Sequence, residues 1–360
     1  MARTPDSRPT LDAVAALAGV SKATASKVLN GRPGSSEATR ERVERAMTQV
    51  GYTPLSRERP GRGPVHVVFD TLVNLYSMKV LEGLVAASRG AGVDLVTTVL
   101  RVPGDGQEPL VLDRAWVQSI TSRGHQGVVL VTTRVEPWLV AACRESGLAL
   151  VAVDPPSGPN ASAASLDASF ASIGSNHFAG GLQATEHLIA LGHRRIGFVS
   201  GHPAGADERE RFGGYRDALA AAGIVDDSEL IGEPLGAWPV DAAPSSLDAA
   251  ELETARLLAL ADPPTAVFAT NDGAAFGAIR AVVARGLRVP DDVSVIGYDD
   301  TYSAMPMPTT LSTIRTPMRE IGRLAVETVL RLASGTAPSS HHVKLATSLV
   351  ARESTAPRRP

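Results

Sequence analysis

From residue 65 onward, short apolar runs rich in Val and Ile alternate with longer amphipathic segments, and this alternation limits the chain to very few folds. The runs Val65–Phe69, Val93–Val99, Gly127–Thr132, Leu148–Val153, Ile196–Ser200, Ala266–Ala269 and Val293–Gly297 read as strands. They are apolar nearly throughout rather than every second residue, which is the mark of strands buried on both faces. Helical spacing occupies about 77–90, 136–146, 176–191, 209–222, 247–260, 273–285 and 318–333. Strands alternating with helices dictate parallel sheets covered on both sides. Seven or more such units over about 290 residues exceed a single core, so two lobes are expected. Ligands of such folds bind beyond the carboxyl ends of the strands, and two facing lobes form a cleft there.

Residues 10–52 have a different rhythm. Thr10 is a helix cap, and Leu11, Val14, Ala15 and Ala18 recur at helical spacing. Gly19 turns the chain, and Val20 returns to the core. Ser21 caps a second helix to about Leu29, which Asn30-Gly31 ends. A third, capped by Ser36, runs from about Glu37 to Gln49 with Val43, Ala46, Met47 and Val50 on its apolar face. Helix, glycine turn, helix is the helix-turn-helix arrangement, whose second helix enters the DNA major groove. Lys22, Ala23, Ser26 and Lys27 are its exposed candidates. Lysines donate to guanine or phosphate, and Ala23 suits a thymine methyl. Charge agrees: residues 1–63 hold eleven Lys and Arg against six acids, a net +5 that leaves −8 for the remainder. A basic head on an acidic body suits a polyanionic partner, although a solvated basic tail or a plain helical hairpin has the same pattern.

The stretch Thr10-Leu-Asp-Ala-Val-Ala-Ala-Leu-Ala-Gly-Val-Ser-Lys-Ala-Thr-Ala-Ser-Lys-Val-Leu-Asn30, with Ser36–Val43 and Gly51-Tyr52-Thr53-Pro54, resembles the lactose/galactose repressor (LacI/GalR) family. So do Leu191–Gly197, Arg211-Phe-Gly-Gly-Tyr215, Pro264–Asp272, Val289–Asp300, Leu311–Arg315 and the closing Arg352-Glu-Ser-Thr. The resemblance spans nearly the whole chain. It implies an N-terminal all-α helix-turn-helix domain (1–52), a linker (53–64) and a two-lobed α/β domain like periplasmic sugar-binding proteins (65–355), followed by a tail (356–360). Three crossings would join lobe one (about 65–172 plus 317–343) to lobe two (about 173–316 plus 344–355). It places DNA contacts on Ser21, Lys22, Ala23, Thr24, Ser26, Lys27 and Asn30. The linker departs from the family: where Ala-Arg-x-Leu is usual, Glu58-Arg59-Pro60-Gly61 stands, with no leucine to wedge between base steps. Pro60 would also interrupt a hinge helix. Arg57 and Arg59, with Arg62, are expected to supply minor-groove or phosphate contacts instead.

For the cleft, the resemblance nominates Tyr76 and Ser77 after the first strand, Asp154 after the fourth, Arg211, Trp238, Asn271, Asp299 and Thr316. Hydroxyl-rich ligands want paired donors and acceptors and a flat apolar ring. Structural readings stay open: Asn271-Asp272 could cap a helix, Asp299-Asp300 could form a turn, Arg211 could pair with Glu208, and Trp238 could anchor a loop. Ser175-Asn176 stands where the family has Asp-Asn. Tyr76-Ser77 after Phe69-Asp70, together with Trp238, resembles the branch that governs use of plant-wall sugars, which implies xylose-type or oligosaccharide effectors.

An enzyme is not expected. The eight histidines show no zinc-enzyme spacing, no Walker A sequence or nucleophile elbow occurs, and Gly61-x-Gly63 precedes its strand instead of following it. Neither a metal nor a cofactor is called for. His341-His342 reads as a loop or strand-edge feature. The single cysteine, Cys143, reads as core packing and fits a reducing cytosol. No signal peptide or membrane-length apolar run is visible, so a cytoplasmic protein is expected. The expected partners are operator DNA, a small carbohydrate effector and a second copy in a homodimer. The tail lacks the heptads a coiled-coil tetramer needs. A transport-associated sugar-binding protein and an α/β sugar kinase or dehydrogenase are the rival readings.

Overall fold

The computed structural model describes residues 10–29, 36–50, 63–102, 106, 108–156, 170–200, 206–232, 246–301 and 309–359. The chain divides into two compact units, 1–63 and 64–360.

The first unit holds α1 (Leu11–Ala18), α2 (Lys22–Leu29) and α3 (Glu37–Val50). Each begins at the hydroxyl cap expected from sequence. Thr10, Ser21 and Ser36 accept from the backbone N–H groups of Ala13 (3.3 Å), Thr24 (3.1 Å) and Thr39 (3.3 Å). Gly19 takes the left-handed conformation (φ 64°) that lets α1 end and Val20 fold back. Val14, Ala15, Ala18, Ala25, Val28, Val43 and Ala46 form the core. Small side chains dominate it, so the three helices approach closely.

The second unit has two sheets. The strands β1 (Val65–Phe69), β2 (Leu95–Val99), β3 (Gly127–Val131), β4 (Ala149–Val153), β5 (Ala171–Ser175) and β10 (His342–Leu345) form a parallel sheet in the order β10-β5-β4-β3-β1-β2. One face is covered by α4 (Leu75–Ala91) and α11 (Met318–Ala333), the other by α5 (Arg114–Ser122) and α6 (Pro137–Glu145). The second sheet runs β11-β9-β8-β7-β6, from β6 (Ile196–Val199), β7 (Ala266–Ala269), β8 (Ser294–Asp299), β9 (Ser312–Arg315) and β11 (Ser348–Val350). It lies between α7 (His177–Ala190) with α8 (Ala206–Ala221) and α9 (Ser246–Leu257) with α10 (Asp272–Ala284). Cys143 is buried in the α5/α6 core, where burial pushes its thiol up to about 11. Among the described residues, no helix is long and apolar enough to cross a membrane.

Several features differ from expectation. The sheets are not wholly parallel, because β11 returns antiparallel to β9. The changeovers expected at 172/173 and 343/344 fall inside β5 and β10, and both strands belong whole to the first sheet because they pair with each other in register, His342 opposite Ser172 through Leu345 opposite Ser175. The chain therefore crosses at Asn176, between Arg315 and Met318, and between Leu345 and Ser348. Neither β5, with its Ser and Gly, nor α5, capped by Asp113 on the Trp116 N–H (2.7 Å), shows as a periodic run in the sequence.

Helix pairs meet backbone to backbone at glycine. A Cβ on Gly83 of α4 would lie 2.0 Å from the Arg319 carbonyl of α11, and one on Gly322 would lie 2.3 Å from the Val80 carbonyl. Only a residue without a side chain fits such approaches.

Candidate functional site

In the N-terminal unit, α2 leaves Ser21, Lys22, Ala23 and Lys27 exposed, while Thr24 and Ser26 are half-buried beside the buried Ala25 and Val28. Ser21 and Thr24 are thus partly committed to the cap, their hydroxyls 2.8 Å apart. Lys22 pairs with Asp12 of α1 at 2.8 Å, an exposed contact of little net worth that a phosphate can displace. Asn30, Arg57 and Arg59 lie outside the described residues, as does Trp238 in the larger unit.

In the larger unit, a cavity of about 520 Å³ lies at the carboxyl ends of β3, β4 and β5, closed by the starts of α7 and α8 and by β10. Its lining includes Tyr76, Thr132, Asp154, His177, Phe178 and Lys344. Asp154 sits just past β4 with φ 38°, a left-handed turn that swings its carboxylate across the sheet edge. There it accepts from the Tyr76 hydroxyl and the Ser175 N–H (3.2 Å). Space for this carboxylate exists because residue 174 is glycine: a Cβ there would lie 2.1 Å from Asp154 Oδ1. Burial, then the neighbouring Asp154, holds the Tyr76 phenol well above its ordinary pKa, so it stays a donor.

His177, the first residue of α7, links the two lobes. Its Nε2 lies 3.4 Å from Asp154 Oδ1, while its Nδ1 accepts from Arg211 Nε (3.3 Å) and faces Nη2 (3.2 Å). Arg211 is buried on α8, whose approach to α7 is set by Gly181: a Cβ there would meet the Arg211 carbonyl at 2.1 Å. The guanidinium donates to the Thr270 carbonyl, packs 4.0 Å from the Tyr298 ring centroid, and faces Asp207 (3.5 Å) and Asp299 (3.9 Å). Burial alone would lower its pKa, but Asp299 and Asp207 outweigh that and raise it. Asp299 ends β8 with φ 102° and accepts from Thr316 Oγ1 (3.3 Å) on a crossing segment. Burial raises the Asp299 carboxyl, and Arg211 and His177 oppose the rise. A continuous polar chain therefore runs Tyr76, Asp154, His177, Arg211, Asp299, Thr316.

The structure brings Tyr76 and Asp154 into the cavity wall and sets Arg211, Asp299 and Thr316 behind His177. Two nominated residues fall elsewhere. Ser77 is wholly buried in α4, its backbone N–H given to the Asn74 cap (2.7 Å), and it does not line the cavity. Asn271 caps α10 by accepting from the Ala274 N–H at 2.8 Å. Its neighbour Asp272 is buried and accepts from Thr313 Oγ1 (2.6 Å), Thr301 N (2.7 Å) and Thr301 Oγ1 (3.0 Å). Burial, then the countering Thr313 bond, leaves its carboxyl at about 7. Glu208 accepts from Ser200 and from Thr270 Oγ1 (2.8 Å), and burial pushes it up to about 7 although the nearby Arg211 charge opposes the rise. His177, Phe178, Glu210 and Lys344 escaped sequence reasoning. The one signal for them in the sequence is the altered pair Ser175-Asn176, which precedes His177 directly. His342 opens β10, bonded to Ser172 Oγ at 2.8 Å, as a strand-edge residue. Among the described residues, no cluster of His, Cys, Asp and Glu is arranged to hold a metal ion.

Residues 10–55 match the family described as bacterial regulatory proteins, lacI family, and residues 185–355 match a periplasmic binding protein-like domain. The HTH-type transcriptional regulator CelR of Thermobifida fusca is 32% identical over 354 residues, covering 96% of this chain and 98% of the relative. A solved CelR–cellobiose complex superposes with a TM-score of 0.65 at 28% identity, covering 96% of this chain and all of that one. The lac repressor dimer bound to operator and the anti-inducer ONPF gives a TM-score of 0.76 at 26% identity, with 96% and 99% covered.

Proposed function

Because the chain belongs to the lacI family of bacterial regulatory proteins and is a DNA-binding transcriptional regulator, we propose that it represses transcription as a homodimer on a near-palindromic operator and is switched by a small carbohydrate held between its lobes. The single observation that carries the switch is His177, which touches Asp154 at the edge of one sheet and Arg211 beside the other. A ligand that engages this chain alters how the lobes hold each other.

In this reading α2 enters the major groove. Lys22 and Lys27 donate to guanine edges or phosphates, Ala23 meets a thymine methyl, and Ser21, Thr24 and Ser26 contact the backbone. Asn30, Arg57 and Arg59 add contacts at the end of α2 and in the linker. In the cavity, the Asp154 carboxylate accepts from sugar hydroxyls, His177, held from behind by Arg211, orients that carboxylate, and Tyr76 presents a flat ring to a sugar face. Asp299 and Thr316 hold Arg211 and the crossing segment. Trp238 would stack on the ligand, whereas Ser77 and the Asn271 cap contribute chiefly to helix placement. The effector acts because it binds one lobe arrangement better than the other, and couplings of this kind typically change affinity by ~5–150-fold. No catalytic step is required, and a cytoplasmic location follows from an operator partner.

The test is retention of duplexes selected from a random library by the full chain at low salt, repeated with cellobiose, glucose, xylobiose and xylose. DNA binding that depends on residues 1–63 and changes with a sugar supports the reading. Retention that survives removal of residues 1–63 refutes the head's role, and indifference to every sugar refutes the switch. The rival of a sugar-binding protein without DNA function predicts titration by sugar and no retention at all.

A further inference from the structure

Phe178 is the one phenylalanine among the described residues that is exposed, at 41%; the others pack into the hydrophobic cores. A single apolar side chain on an outer face would need no explanation. This one lies on the cavity wall, in the first turn of α7, next in sequence to His177. The main chain beneath it is fixed. A Cβ on Gly214 of α8 would lie 2.1 Å from the Phe178 carbonyl oxygen, so the two helices are seated on each other at this residue. A Cβ on Gly213 would lie 3.4 and 3.5 Å from two carbons on one edge of the ring, so that edge rests on α8 while the rest of the ring is left to the cavity. The ring is therefore a rigid apolar plate. With only two side-chain torsions, it loses little entropy when a ligand covers it.

The chemistry beside the plate complements it. Asp154 follows β4 of the first sheet, and its Oδ1 lies 3.4 Å from Nε2 of His177, the residue before the ring. Asp154 and Phe178 line the same cavity. A cyclic sugar has hydroxyls around its rim, which suit such a carboxylate, and C–H groups on its faces, which suit an aromatic ring. An open-chain polyol has the hydroxyls but no fixed face. Asp154 belongs to the first lobe and Phe178 rides on a helix packed against the second sheet, so a ligand that satisfies both spans the lobes.

We propose that Phe178 is a stacking residue of the effector site, covering the C–H face of a sugar ring whose hydroxyls meet Asp154. The class of ligand selected is the ring-closed sugar, in preference to the alditol that has matching hydroxyls and no face. The inference rests on the carbohydrate reading above and goes further by naming the residue that reads the sugar's apolar side.

The experiment is calorimetric titration of the full chain with glucose against sorbitol, xylose against xylitol and cellobiose against cellobiitol, in the wild type, Phe178→Ala and Phe178→Tyr, with thermal melts confirming that both variants fold. At least one ring sugar is expected to bind at least ~10-fold tighter than its alditol. Phe178→Ala should weaken that sugar by roughly 5–10-fold and cut the ratio by the same factor, and Phe178→Tyr, which keeps the plate, should restore both. Wild-type sugar affinity in Phe178→Ala overturns the proposal and leaves the carbohydrate reading standing. So does a loss shared equally by sugar and alditol, or one that Phe178→Tyr does not repair, because either assigns the ring to helix packing alone. Binding of hypoxanthine that Phe178→Ala abolishes, with no sugar bound, assigns the plate to a nucleobase and overturns it too. Protein that retains DNA yet titrates with no sugar refutes the carbohydrate reading itself, and the stacking role with it.

Discussion

Asp272 makes the stability of the larger unit depend on pH in a direction opposite to ordinary acid unfolding. Its side chain is buried beneath β9, and its carboxyl is raised from an ordinary 3.8 to about 7, by burial first. The folded state therefore holds this proton more tightly than the unfolded chain does. Between pH ~4 and ~7, unfolding releases a proton, so the stabilisation present below the unfolded value is lost as pH rises through the folded one. A shift of roughly three units at ~1.4 kcal/mol each amounts to about 4 kcal/mol as an order of magnitude. Asp272→Asn keeps the shape and an acceptor for Thr301, while the Thr313 hydroxyl can turn to accept from the new amide. The variant cannot titrate. Its stability relative to wild type, from urea unfolding followed by circular dichroism, should climb by up to about 4 kcal/mol from pH ~4 to pH ~8. Glu208 titrates in both proteins and cancels in the difference. A flat difference curve, or one that falls with pH, would refute the reasoning.

Two further substitutions probe the head and the cavity. Lys27→Ala should weaken binding to a selected operator and lower the slope of log affinity against log salt by ~1, as removal of one ionic link to a phosphate requires; an unchanged slope would take this lysine off the DNA backbone. Gly174→Ala pushes a methyl onto Asp154 Oδ1 and should weaken any sugar that titrates the wild type by roughly 10-fold, because the carboxylate is forced off its Tyr76 and Ser175 donors; unaltered calorimetry would show that Asp154 does not read the ligand.

The sequence made the head and the strand cores legible because there local and global preferences agree. Ser21 and Ser36 cap where they should, and Val65–Phe69 or Ala266–Ala269 are apolar runs that only a buried parallel strand can use. It was silent on β5. Ala171-Ser-Ile-Gly-Ser175 has little strand propensity of its own and is held by its neighbours β4 and β10. The site was half legible for the same reason. Asp154 and Arg211 stand within recognisable motifs, but Lys344 reaches Glu210 across 134 residues of sequence, and His342 reaches Ser172 across 170. No local pattern encodes such pairings. Asn271 and Ser77 were drawn into the site by motif alone, and their positions in the helices serve capping and core instead.

The glycine contacts between helices carry a mechanical corollary. With Gly83 and Gly322 seating α4 against α11, and Gly181 seating α7 against α8, the paired helices are clamped at main-chain distance and leave no slack for sliding. Compliance is then concentrated in the three strands of chain that pass from one sheet to the other. A molecule that tugs on His177 pulls beside the first of these at Asn176, so little of its leverage dissipates as internal deformation of either block.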